Sequence, residues 1–273
     1  MKLIDFDKLF DEKLTLYMTE NKNKYTEKQW EDVIPKLYKK FGETRIAKIG
    51  CTPKEYYGRM SQTELVETLM EHLRQGVPVP EFLCTEIENR GEAETLLPLL
   101  KSEDTQTVSY AVNLIGDNAA AFDEYFAILL ENRLDEDVRS DLTDILRLHA
   151  DEVKARALAA YKQGLAQTYM LEILSRIQER SEEVYELLLS AFLTSEDSSV
   201  FAGYLAAYGD ERALVHLLKR IEDRTIGFVE FQELKYAIEA LGGEYDEPRD
   251  FTQDKDYIAI EAATAKTESE LRS

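Results

Sequence analysis

The stretch Ser198-Ser199-Val200-Phe201-Ala202-Gly203-Tyr204-Leu205-Ala206-Ala207-Tyr208-Gly209-Asp210-Glu211-Arg212-Ala213-Leu214-Val215-His216-Leu217-Leu218 reads as one helical hairpin. Its apolar residues recur at spacings of three and four rather than in alternation, which is the helical period. Gly209-Asp210 interrupts the pattern, and an Ala-Leu helix follows. A hairpin of this size cannot bury its apolar faces alone, so it requires similar hairpins stacked against it.

Such hairpins lie along the chain on both sides. Registered on a Val or Tyr near the start of the first helix, they fall at Val108, Val138, Tyr169, Val200 and Val229, at intervals of 30, 31, 31 and 29 residues. Second helices follow at Ala120-Ala121-Phe122 to Leu130, at Glu152-Val153 to Tyr161, at Glu183-Val184 to Phe192 and at Glu211 to Ile221. Leu96-Leu97-Pro98-Leu99-Leu100 belongs to an earlier one.

Ser198 to Leu218 resembles the short HEAT-like repeat of phycobilin-lyase-related proteins: an acidic turn, a Val, small residues, Gly-Asp, then an Ala-Leu helix. Leu134-Asp135-Glu136-Asp137-Val138-Arg139 is similar to the Asp-x-Val-Arg that opens the inner helix of such a repeat, and Ile115-Gly116-Asp117 echoes the Gly-Asp turn. Leu148-His149-Ala150-Asp151 and Ile177-Gln178-Glu179-Arg180 depart from the pattern. The resemblance spans about residues 92–243 and implies an all-α fold, an α-solenoid of about five hairpins. It implies little about function, since the architecture serves many tasks.

Upstream, residues 1–91 read as an irregular helical cap. Phe6, Leu9, Phe10, Leu14, Leu16 and Tyr17 form an apolar stripe. Thr26-Glu27-Lys28-Gln29, Thr52-Pro53-Lys54-Glu55 and Ser61-Gln62-Thr63-Glu64 are capping boxes, each opening a helix. Pro35 predicts a kink or two short helices. Gly42, Gly76 and Gly91 end helices, and Val77-Pro78-Val79-Pro80 is an extended spacer. The expected organisation is thus a cap over 1–91, repeats over 92–245 and an acidic tail over 246–273. In that tail, an extended piece packs on the last hairpin, Ile258 to Ala263 forms a short helix, and Thr267 to Ser273 frays.

Charge narrows the function. The 273 residues carry 33 Lys+Arg and 54 Asp+Glu, a net of −21. Residues 1–80 stand at 14 against 13 and residues 81–273 at 19 against 41, so the excess lies on the repeats and tail. Such a surface opposes a phosphate backbone. DNA-glycosylase relatives of HEAT-like folds use a basic groove, which the repeats lack. Residues 22–59 do carry ten Lys+Arg, but Glu20, Glu27, Glu31, Asp32, Glu43 and Glu55 largely offset them. Acids at Asp5 and Asp7 break the apolar run a signal peptide needs, and no stretch reaches about 18 apolar residues, so a cytoplasmic protein without a membrane partner is expected.

Catalytic patterns are missing. His72, His149 and His216 sit in distant segments, none in H-E-x-x-H. Iron-dependent hydroxylases of the HEAT-repeat kind use His-Glu dipeptides as ligands, and the sequence has none. No G-x-S-x-G, Walker or G-x-G-x-x-G sequence occurs; Gly242-Gly243 reads as a helix terminator. Cys51 and Cys84 lack C-x-x-C spacing and read as reduced packing residues. Asp135-Glu136-Asp137, Glu182-Glu183 and Glu196-Asp197 read as acids complementing helix N-termini, and no calcium loop starts at Asp135. No cofactor and no metal site is expected.

Fifteen Tyr are the more useful clue, since the side chain suits a half-buried groove. By analogy with inner helices lining a concave side, Tyr110, Arg139, Arg147, Tyr204, Tyr208 and Tyr236 are the candidate binding residues. The expected function is a non-enzymatic scaffold holding a protein or peptide, basic in character. The rival is an enzyme or small-molecule binder of the HEAT-like lyase kind, with a pocket between the N-terminal region and the repeats. A third reading is nucleic-acid binding through residues 22–59.

Overall fold

The computed structural model describes residues 3–22, 24–131, 134–195 and 198–271, with side chains to residue 264. Its described residues are all-helical apart from one isolated bridge, in which Ile46 N–H donates to the Cys51 carbonyl at 2.9 Å. The chain forms two compact units, residues 1–142 and 143–273.

The first unit opens with α1 (Phe6–Glu20), α2 (Glu27–Gly42), α3 (Pro53–Gly58), α4 (Gln62–Gln75) and α5 (Glu81–Arg90). Their starts follow from local hydrogen bonding. Thr26 Oγ1 accepts from Gln29 N–H while Gln29 Oε1 accepts from Thr26 N–H. Thr52 with Glu55 and Ser61 with Glu64 repeat this exchange. Each cap satisfies two backbone donors and contributes about 1 kcal/mol. Gly76 and Gly91 stop α4 and α5 in the left-handed conformation, at φ of 63° and 66°. Pro35 does not divide α2, which runs as one helix through it. In α1, Phe6 and Phe10 are buried, whereas Leu16 lies off the stripe and is exposed.

The unit continues through a 3-10 turn at Leu97–Lys101, then α6 (Thr105–Ile115), α7 (Phe122–Glu131) and the start of α8 (Glu136–Leu148). Tyr125 Oη donates to the Gly116 carbonyl at 2.9 Å, tying the Gly-Asp turn to α7. An aromatic core joins the early helices: Phe6 meets Tyr56 and Tyr57 edge-on, and Tyr38 stacks on Phe82 at 4.6 Å.

The second unit holds the end of α8, then α9 (Ala150–Lys162), α10 (Gln167–Leu174), α11 (Glu182–Thr194), α12 (Ser199–Tyr208), α13 (Leu214–Ile221), α14 (Phe228–Ala240) and α15 (Lys255–Leu271). Each expected first and second helix from Val108 onward is therefore present. The register residues do not share one environment, however. Val108 and Val138 are buried, Tyr169 is half-buried, and Val200 and Val229 are exposed. The valine drifts from the fourth residue of α6 to the second of α12 and α14, which turns it by just over half a helical turn. Glu136 and Asp137, and Glu182 and Glu183, occupy first turns of helices; Glu196 and Asp197 lie outside the described residues.

Beyond α14 the chain packs back on it. Phe251 meets Phe228 at 5.3 Å and Phe231 at 5.1 Å, and Tyr257 meets Phe228 at 5.0 Å. Arg249 lies over the Phe231 ring at 4.8 Å and donates to the carbonyls of Ile221 and Asp223, at the C-terminal end of α13. The following helix extends from Lys255 to Leu271, well past the short helix expected at 258–263 and through most of the segment expected to fray.

Of the paired glycines, only Gly242 takes the left-handed conformation, at φ 82°. Gly243 serves close packing: a Cβ there would stand 2.8 Å from Leu214 Cδ2 and 2.9 Å from Ile238 Cγ2. Gly243→Ala is expected to lower unfolding stability by about 1–3 kcal/mol, read from the urea midpoint at unchanged slope.

Candidate binding face

α8, α10 and α12 are the first helices of three successive pairs. Arg147, in the last turn of α8, donates to Glu172 Oε1 on α10 at 3.0 Å and pairs with Asp144 at 3.1 Å. Tyr204 on α12 donates to the other carboxylate oxygen, Glu172 Oε2, at 3.4 Å. Burial and the neighbouring Glu172 charge hold the Tyr204 phenol above its ordinary pKa, so it stays a donor. One carboxylate thus joins three first helices in a row. Glu172 is the only charged residue of α10. It was not among the sequence candidates; it stands 25 residues after Arg147 and 32 before Tyr204.

Beside that row, α12 exposes Val200 four residues before Tyr204. α14 exposes Val229, Glu233 and Tyr236, which share one helical face, and Tyr236 is 67% accessible.

Tyr208 does not belong to this surface. It is 5% accessible, and its hydroxyl donates to the Ser181 carbonyl at 2.9 Å while accepting from Ser181 N–H at 2.8 Å. Arg180 covers the ring at 5.3 Å and donates to the Tyr208 and Gly209 carbonyls, closing the C-terminal end of α12. A second clamp lies alongside, where Arg212 sits 4.0 Å over the Tyr185 ring and pairs with Asp210 and Glu182. These ties recur at repeat spacing, as does the Asp151 carboxylate that accepts from the Gln178 and Glu179 N–H groups.

In the first unit, Tyr110 is half-buried on α6, its phenol raised by burial and by Cys84 and Asp7. Arg139 has a side chain only 18% accessible and pairs with Glu136 at 2.7 Å. The Cys84 thiol is pushed up to about 11 by burial and by Glu88, Glu81 and Asp7, which keeps it protonated near neutral pH. Cys51 is buried.

No family model, curated protein or solved structure matches the chain. The three histidines stand apart: His72 is fully buried with Nδ1 3.4 Å from the Val77 carbonyl, His149 faces Glu152 at 3.3 Å, and His216 is half-exposed on α13. Among the described residues, no three His, Cys, Asp or Glu side chains are grouped to hold a metal ion, and no helix is long and apolar enough to cross a membrane.

Proposed function

We propose that the chain is a non-enzymatic HEAT-like scaffold, and that the first helices of its second unit hold a basic protein segment. The observation that carries this reading is the set of hydrogen bonds that link one helical pair to the next. Arg147 meets Glu172, Glu172 meets Tyr204, Arg180 meets Tyr208 and Arg212 meets Glu182, all at separations of 25 to 32 residues. Successive pairs that touch at one period align their first helices, and a row of aligned helices offers an extended surface. Residues 143–273 carry 15 Lys+Arg against 26 Asp+Glu, so a cationic segment is the complementary partner. Exposed Val200, Val229 and Tyr236 supply the apolar and aromatic anchors such a contact needs.

A fluorescent oligolysine peptide with an aromatic residue tests this. It should bind the full chain saturably, with affinity falling as salt rises. Tyr236→Ala combined with Glu233→Gln should weaken binding about tenfold or more at unchanged Tm, because both side chains are exposed. Equal binding of an oligoglutamate peptide, or no response to the double variant, would sink the reading.

A further inference from the structure

A cleft of about 930 Å³ opens in the first unit, lined wholly by residues between Asp7 and Asn89. Its place is not the one the rival sequence reading assigned, since the lining comes from α1, α2, the stretch around α3, the Pro-rich spacer and α5. The floor is apolar, with Phe10, Ile34, Pro35, Tyr38, Val79 and Phe82. The floor is also firm. Phe10 stands edge-on to Tyr38 at 4.9 Å, and Tyr38 and Phe82 are stacked within 7° of parallel.

The charged groups around this floor are unequally satisfied. Glu86 is held by Arg90 at 2.8 Å, and Lys54 is held by Glu43 at 2.8 Å. Asp7 accepts a hydrogen bond from the Tyr38 hydroxyl at 2.7 Å but meets no cation among the described residues, and neither do Asp11 and Glu81. Asp7 and Asp11 are one turn apart on α1, and Glu81 opens α5. Beside the paired Lys54 and Glu86, the cleft therefore presents three carboxylates without cations and the ammonium of Lys39 to an aromatic floor. Burial and Asp7 hold the Tyr38 phenol protonated, so its ring adds no further charge.

We infer that this cleft binds a small organic ammonium ion carrying an apolar or aromatic body. The body would lie on Phe10, Tyr38 and Phe82, and the ammonium would be shared among Asp7, Asp11 and Glu81. The volume lies in the range of small-molecule sites, and charge-assisted hydrogen bonds to carboxylates are the strong kind. This ligand is distinct from the basic segment proposed for the second unit, and the two sites share no residue.

Calorimetric titration of the full chain with tryptamine and phenethylamine tests the inference, with indole-3-acetate as the anion of matching body. The amines should bind saturably at millimolar concentration or below, and the anion should not. Asp11→Asn with Glu81→Gln should weaken amine binding about tenfold or more. Asp11 and Glu81 are exposed, so the double variant is expected to keep the wild-type Tm. Phe82→Leu provides a second probe, retaining an apolar floor while removing the stacked ring. It should weaken tryptamine more than a plain alkylamine. Binding of the acetate as tightly as the amines, an unchanged affinity in the double variant, or no binding of either amine would each overturn the assignment.

Discussion

Phe82→Ala is expected to lower the unfolding free energy of the chain by about 3–5 kcal/mol. Phe82 is 7% accessible, stacked on Tyr38 and tilted against Phe41. Its ring belongs to an aromatic cluster drawn from three helices, because its partners Tyr38 and Phe41 lie on α2 and Phe10 of α1 packs on both of them. Truncation removes both the buried area and the stacking geometry, and the neighbours are themselves rings that cannot relax into the space cheaply. Gly42 reports the same tight fit from the opposite side, since a Cβ there would collide with the Phe82 ring. Chemical denaturation followed by Trp30 fluorescence gives the measurement, as Trp30 lies in α2 and is the only Trp. A loss below about 1 kcal/mol would mean that the ring is not a packing centre.

Tyr208→Ala should cost a similar amount, about 3–5 kcal/mol, in the second unit. Tyr208→Phe separates the hydroxyl from the ring. The phenylalanine keeps the packing and the Arg180 contact but leaves the Ser181 N–H and carbonyl without their partner, which costs about 1–3 kcal/mol. Peptide binding measured on the folded fraction should be unchanged in both variants. Thermal denaturation and the oligolysine titration, run together, distinguish this structural role from the binding role proposed for Tyr236. Loss of peptide binding in Tyr208→Phe at unchanged Tm would return Tyr208 to the proposed binding face.

These two tyrosines mark where the sequence could be read and where it could not. Helix starts were legible because a capping box is settled within four residues, as Thr26 with Gln29 and Ser61 with Glu64 demonstrate. The stops at Gly76 and Gly91 are local for the same reason. Helical class and the order of first and second helices followed from apolar spacing. The rotation of each helix did not, because it depends on which neighbour arrives. Val200 and Tyr208 share α12, yet Val200 faces solvent and Tyr208 faces the Arg180 turn. Glu172 gave no signal as a lone acid in an apolar helix; its role exists only once α8 and α12 flank it. The cleft was equally hidden, since residues up to about eighty positions apart line it.

The arginine and tyrosine ties have a consequence for how force or heat would take the second unit apart. Each one fastens a pair of helices to the next pair and to nothing further away: Asp151 to Gln178, Arg180 to Tyr208, Arg249 to Ile221. In the stacked arrangement proposed above, the unit would be a chain of rivets rather than a keystone arch. Severing one rivet should soften the two pairs it joins and leave more distant pairs protected. A solvent-exchange map of the Arg249→Ala chain would carry that signature, with protection lost around α13 and the stretch before α15 while α9 and α10 keep theirs.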